Sequence, residues 1–196
     1  FYALGAVYAR RIGMELAAVA VFMSTVIFGG VALQWPLGLL SDRFDRRRVI
    51  VLAFAGALAA GLAIALIDAP GWALLGFAAL FGGLSFGLYP LCVAHANDRL
   101  PAEQRVSASG SLVLVYSAGA AAGPLAAAGA MTAAGTPGLF LFIAACAGGA
   151  LLFGFWRQAA TLPVPAPDQG SYQILPRTTP MSASLDPLAH DPEEAT

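Results

Sequence analysis

The sequence predicts an all-α membrane protein, and three observations support this fold class. Of its 196 residues, 59% are hydrophobic and only 11% are charged, whereas a soluble domain carries about 25% charged residues. Apolar runs of roughly twenty residues, long enough for a helix to cross the hydrocarbon layer, follow one another along the chain. The charged residues gather in the short segments between these runs. Because lipid offers no hydrogen-bond partner to the backbone, each run is expected to be a helix.

The apolar runs comprise one short stub and five full spans. The stub covers residues 1–9 and is typical of the end of a further span, so we expect the chain to begin inside a larger protein. The full spans are predicted at 16–40, 49–67, 72–94, 107–133 and 138–156. Together they form a transmembrane helical domain over residues 1–157.

A second part is predicted after the last span, at residues 158–196. From Arg157 onward the chain has seven prolines, and two arginines stand against five carboxylates, a net charge of -3. Such a composition is typical of a flexible, disordered tail. The less polar stretch SYQILPRTTP within it offers an alternative, in which this part of the tail docks onto the membrane domain.

The connecting segments alternate in arginine content, which predicts the orientation of the chain. The segment at 38–49 has four arginines and the one at 95–105 has two, whereas those at 68–71 and 132–138 have none. The positive-inside rule places the arginine-rich segments and the C-terminus in the cytoplasm. Arg10 and Arg11 are then an exception on the outer side, where they would anchor at headgroups or meet an anionic solute.

The stretch GLLSDRFDRRRV, residues 38–49, is called the charged segment below. Gly38 allows a neighbouring helix to approach closely. Asp42, four residues further on, is placed to pair with a nearby arginine or with the N-terminus of a helix. A purely topological anchor would explain the arginines, but it would not explain the Gly-x-x-x-Asp-Arg spacing.

That spacing resembles the cytoplasmic loop signature of the major facilitator superfamily, Gly-x-x-x-Asp-Arg-x-Gly-Arg-Arg/Lys. The matching positions are Gly38, Asp42, Arg43, Arg46 and Arg47. Asp45 stands where the family usually has Gly, and Asp tolerates a left-handed turn better than most residues. The resemblance covers residues 1 to about 157. It implies that the charged segment latches one conformational state through charge contacts with adjacent helices.

Transporters of this family have two six-helix halves, and either half can carry the signature. The span at 72–94 lacks the membrane-embedded arginine that is usual in the fourth helix of the N-terminal half. YPLCVAHAND and the tail resemble the C-terminal half of bacterial members of the YcaD type. The fold class is therefore predicted as a C-terminal six-helix half, whose first helix is only a stub.

Polar side chains inside the spans are the candidates for a solute cavity near the bilayer midplane. The candidate cavity residues are Gln34, Ser85, Tyr89, Ser109 and Tyr116. His95 is a candidate for proton transfer or gating, and capping of the adjacent loop is the alternative. The spacing of Gly119 and Gly123 predicts a helix-packing face, and Pro124 predicts a kink. The same residues also resemble the Gly-Pro motif of proton-coupled drug antiporters.

The predicted function is that of a fragment of a secondary transporter, which moves a small solute across the inner membrane by alternating access. Its expected partners are the solute, the lipid bilayer and a missing N-terminal half. No metal-ligand cluster, phosphate-binding loop or nucleophile–base pair occurs in the sequence, which predicts neither an enzyme nor a cofactor. The net charge of -1 argues against nucleic acid. Alternatives are a non-transporting scaffold or receptor whose tail recruits a partner, and an inactive gene remnant.

Overall fold

The computed structural model describes residues 1–160, except for the side chains of residues 102, 103 and 106. This part of the chain forms six α-helices and no strand. The helices are α1 (Gly5–Arg11), α2 (Leu16–Arg43), α3 (Arg46–Ala65), α4 (Trp72–Asn97), α5 (Ala102–Ala133) and α6 (Gly138–Ala160). All but α1 are long and apolar enough to cross a membrane. The predicted fold class is confirmed, whereas the predicted tail lies almost entirely outside the described residues.

The charged segment is more helical than the apolar pattern suggests. Helix α2 continues to Arg43 and α3 already begins at Arg46, so only Phe44 and Asp45 lie between them. Asp45 has a φ angle of -51°, so this position does not use a left-handed turn. Instead its side chain accepts a hydrogen bond of 3.0 Å from the backbone N–H of Arg47. Asp is suited to this position because it caps α3.

Helices α2 and α4 run in the same direction and pack backbone to backbone through glycines. A Cβ atom on Gly29 would overlap the carbonyl oxygen of Ala79, and one on Gly82 would overlap that of Val26. Small residues allow such close approach, which is the main source of helix association where lipid removes the hydrophobic driving force. This helix pair is the centre of the described fold.

Helices α3 and α6 form a second, antiparallel pair. Near the C-terminal end of α3, a Cβ atom on Gly61 would lie 3.7 Å from the Cβ atom of Ala144. Near the N-terminal end of α3, a Cβ atom on Gly154 would lie 2.9 Å from Val51 Cγ2. The two helices therefore stay in contact along most of their length.

The stub α1 is held in an aromatic cluster at the end of the helix bundle opposite the charged segment. The rings of Tyr8 and Phe140 meet edge to face, with centroids 4.8 Å apart. The hydroxyl of Tyr8 donates a hydrogen bond of 3.2 Å to the carbonyl oxygen of Ile64. A buried tyrosine normally needs such a partner, and this contact ties α1 to the end of α3.

Helix α5 is the least enclosed of the long helices. It approaches α6 closely near its C-terminal end, where a Cβ atom on Gly138 would overlap the carbonyl oxygen of Ala130. Leu114, Val115 and Leu125 are more than 70% exposed. One whole face of α5 therefore has no covering among the described residues.

Candidate functional site

The charged segment is organised around Arg46, the first residue of α3, which is only 1% exposed. Its Nη1 donates to Asp98 Oδ2 at 2.6 Å, and its Nε donates to Ser41 Oγ at 2.8 Å. Ser41 lies in the last turn of α2, and Asp98 caps the end of α4. One buried guanidinium therefore joins the end of α2, the start of α3 and the end of α4.

Asp98 is the partner that the sequence analysis did not identify. Its side chain is 4% exposed, so the ion pair is almost completely removed from solvent. The predicted topology does place Asp98 near the charged segment, because Asp98 follows a span that ends on the same side of the membrane. Nothing in the sequence, however, indicates that Asp98 pairs with Arg46 rather than with one of the other three arginines of the charged segment.

Asp42 lies at the edge of this arrangement, and its side chain is 40% exposed. Its Oδ1 is 3.6 Å from Arg46 Nη2, which is too long for a hydrogen bond but close enough for electrostatic attraction. Gly38 is buried one turn earlier in α2, and Arg43 is exposed. The carboxylate of Asp42 is thus held beside a buried charge and still reaches the surface.

Asp45 and Arg47 stabilise the turn between α2 and α3. Arg47 Nη2 donates to Asp45 Oδ2 at 3.2 Å, in addition to the capping hydrogen bond of its backbone N–H. Partial burial would raise the pKa of the Asp45 carboxyl, but the hydrogen bonds and charge of Arg47, together with the charge of Arg48, hold it below its usual value. The start of α3 is therefore fixed by a charged cap.

Two of the five predicted cavity residues meet in the structure. The rings of Tyr89 in α4 and Tyr116 in α5 lie 5.4 Å apart between centroids, with an interplanar angle of 59°. Tyr89 is partly buried, whereas Tyr116 is 39% exposed. Ser85, Ser109 and Gln34 are also partly buried, and their role as cavity residues stays a prediction.

His95 lies in the last turn of α4, and its imidazole ring contacts the guanidinium of Arg99. Because a guanidinium only donates hydrogen bonds, one ring nitrogen of a neutral imidazole can accept from it. The side-chain oxygen of the neighbouring Asn97 is buried and has no hydrogen-bond partner among the described residues. Both alternatives for His95, proton transfer or gating and capping of the adjacent loop, stay predictions.

The predicted packing face on α5 is open within this part of the chain. Cβ atoms on Gly119 and Gly123 would meet nothing within 4 Å. Pro124 lies inside α5, which continues through it. Packing at these glycines therefore stays a prediction about a partner of the chain, and the described helices pack through other glycines.

The described residues contain no cluster of three or more His, Cys, Asp or Glu side chains that could hold a metal ion. The arrangement where the end of α2, the start of α3 and the end of α4 meet is instead an electrostatic one, with a buried arginine, two carboxylates and a hydroxyl. Such a group can hold helices in one relative position and can respond to another charged surface nearby.

Comparison with known proteins agrees with this description. The family model described as Major Facilitator Superfamily matches residues 1–188. Two of the most similar curated proteins are both called "Uncharacterized MFS-type transporter YcaD", from Salmonella paratyphi B (strain ATCC BAA-1250 / SPB7) and Salmonella newport (strain SL254). Each is 30% identical over 143 residues, which is 73% of this chain and 36% of the relative. The chain thus spans about a third of the length of these relatives.

Proposed function

Because this chain belongs to the major facilitator superfamily, we propose that it is the C-terminal half of a secondary transporter for a small solute. In this proposal α1 is the end of the seventh helix, and α2 to α6 are helices eight to twelve. The half rocks against an N-terminal half in the bacterial inner membrane, with the C-terminus in the cytoplasm. The alternation of arginine-rich and arginine-free connections supports this orientation.

The buried ion pair between Arg46 and Asp98 is the observation that carries the proposal. Burying two charges costs several kcal/mol per ion before their attraction is counted. Arginines that only oriented the chain would remain at the headgroup level, where they keep their hydration. A buried pair at this place suggests that the relative position of α2, α3 and α4 must be defined, as a latch requires.

In the proposed latch, Arg46 sets the geometry and Asp42 makes the contact. Arg46 is fixed by Asp98 and Ser41, and its charge lies 3.6 Å from the exposed carboxylate of Asp42. Asp42 then meets a helix end of the N-terminal half in one conformational state and releases it in the other. A free-energy difference of a few kcal/mol between the two states is enough for such control.

The exposed face of α5 would complete the transporter. Tyr116 and Tyr89 lie at the contact between α5 and α4, where they would line the solute cavity between the two halves. Gly119 and Gly123 on α5 would receive a helix of the N-terminal half. This assignment explains why Gly119 and Gly123 have no described residue within 4 Å of their would-be Cβ atoms.

Flux measurements on the intact protein test this function. Proteoliposomes containing the full-length protein should take up or release at least one member of a panel of radiolabelled sugars, amino acids, organic anions and organic cations. Residues 1–196 alone should give no flux, because half of the cavity would be absent. Absence of flux with every solute, together with recruitment of a cytoplasmic protein by the tail, would support the scaffold instead.

A further inference from the structure

The inner end of α6 is tied to the charged segment by one long-range hydrogen bond. Gln158 Nε2 donates to the carbonyl oxygen of Arg47 at 3.0 Å, across 111 positions of sequence. One turn earlier in α6, Gly154 packs against Val51, with 2.9 Å between its would-be Cβ atom and Val51 Cγ2. The absence of a side chain at Gly154 brings the two helices close enough for Gln158 to reach the backbone of α3.

This hydrogen bond meets α3 at its first turn. The carbonyl oxygen of Arg47 has two lone pairs, and within the helix it accepts from the backbone N–H four residues later. The second lone pair is therefore available to Gln158. The contact is partly buried, and a hydrogen bond in such an environment is stronger electrostatically than one in water.

The position of Arg47 connects this contact to the buried ion pair. Arg47 directly follows Arg46, and its side chain is bound to Asp45, the cap of α3. Because the backbone of the first turn moves as a unit, a shift of the inner end of α6 along α3 would also move the guanidinium of Arg46. The distance from Arg46 to Asp42 would change with it.

We propose that Gln158 is a positioning residue. It holds the first turn of α3 so that the guanidinium of Arg46 keeps Asp42 in the position from which Asp42 makes the latch contact. This inference rests on the proposed transport function and deepens it. Loss of one neutral hydrogen bond corresponds to about a five-fold change in an equilibrium constant. Without Gln158 the ratio of inward-facing to outward-facing states should therefore change by about that factor.

Cysteine accessibility in the intact protein tests the proposal without knowledge of the solute. Cys92 and Cys146, which are free thiols, are replaced by Ser, as is any cysteine elsewhere in the full-length protein. A reporter cysteine is placed at Phe44, which is 56% exposed between α2 and α3. The rate of its labelling by a membrane-impermeant maleimide is measured in inside-out vesicles.

Gln158→Met keeps the length of the side chain and removes its donors, and it should change the labelling rate by about five-fold. Gln158→Lys restores N–H donors at a similar reach and should return the rate to within two-fold of the starting protein. The same substitution at the exposed Gln104, Gln104→Met, is the matched control and should leave the rate unchanged. Thermal unfolding of each variant is recorded alongside.

An unchanged labelling rate in Gln158→Met would overturn the proposal, even if the melting temperature falls, because Gln158 would then be only a packing residue. A Lys variant that behaves like the Met variant would overturn it as well. If Gln158→Met does not insert, Gln158→Lys decides, since a positioning role requires it to insert and label normally. Asp42→Asn separates the role of Gln158 from the proposed latch. An unchanged labelling rate in both Gln158→Met and Asp42→Asn would contradict the latch itself. A changed rate in Asp42→Asn alone would contradict only the role of Gln158.

Discussion

The guanidinium of Arg46 and the carboxylate of Asp98 meet at 2.6 Å, although 52 positions of sequence separate them. Both side chains are almost fully buried, at 1% and 4% exposure. The pair joins the start of α3 to the end of α4 at the membrane surface. A strong mutual dependence of the two residues follows, because loss of either one removes the closest opposite charge of the other in a buried position.

Removal of one member of this pair should destabilise the protein strongly. Asp98→Ala leaves the charge of Arg46 buried, and we expect a loss of about 3–5 kcal/mol in the free energy of unfolding. The double variant Arg46→Met/Asp98→Leu should recover most of this loss, since it replaces both charges by apolar groups. Chemical unfolding of the purified intact protein in detergent measures both values. Equal destabilisation of the single and the double variant would contradict the account.

Glycine substitutions should separate the glycines that pack helices from those that do not. Gly82→Ala forces a methyl group onto the carbonyl oxygen of Val26, and overpacking of this kind costs about 1–3 kcal/mol. Gly76→Ala in the same helix, where a Cβ atom meets nothing within 4 Å, is the control and should be neutral or slightly stabilising. Thermal unfolding in detergent compares the two, and similar melting temperatures would argue against the close α2–α4 contact.

The tyrosine pair should affect transport more than stability. Tyr89→Leu and Tyr116→Leu remove two rings that lie 5.4 Å apart at the proposed cavity. We expect solute flux by the intact protein to fall at least about ten-fold, a loss of roughly 1.4 kcal/mol of interaction with the solute. Trp72→Leu, at a position 89% exposed at the opposite end of α4, should leave flux unchanged. Wild-type flux in both tyrosine variants would remove them from the cavity.

The cap at Asp45 should make stability depend on pH in the acid range. The pKa of the Asp45 carboxyl is lower in the folded state than in the unfolded chain. Its contribution to the free energy of unfolding is therefore complete at pH values above its unfolded-state pKa of about 3.9. The contribution is lost as the pH falls through the lower, folded value. Asp45→Asn keeps the cap but cannot titrate, so stability should fall less between pH 6 and pH 3. Parallel pH profiles of the two proteins would show that Asp45 is not the titrating group.

The positions of the spans could be predicted because lipid imposes a simple rule on the backbone. Each apolar run had to be a helix, and the structure places five such helices where the runs lie. The helix ends differ because charged residues mark the edge of the membrane rather than the end of a helix. Helix α2 runs past Leu40 to Arg43, and the next helix begins only where Asp45 caps it.

The contacts of the site could not be predicted in the same way. Arg43 and Arg46 are the same residue type three positions apart, yet the former is exposed and the latter buried. Arg43 ends α2 and Arg46 begins α3. Which of them is buried depends on how the start of α3 is oriented, and the packing of α3 against α4 and α6 determines this orientation. For the same reason the Gly119–Gly123 spacing does not reveal its partner, whereas Gly29 and Gly82 each pack against the backbone of the facing helix.

The central claim is that the charged segment controls the conformational state of a transporter, and flux through the Asp42→Asn variant tests it most directly. The intact protein is reconstituted with the solute found for the wild type, and Arg48→Gln, an exposed position in the same segment, serves as the control. Asp42→Asn should insert normally and lose most of its flux, while the control keeps its flux. Unchanged flux in Asp42→Asn would show that Asp42 in the charged segment does not control the conformational state.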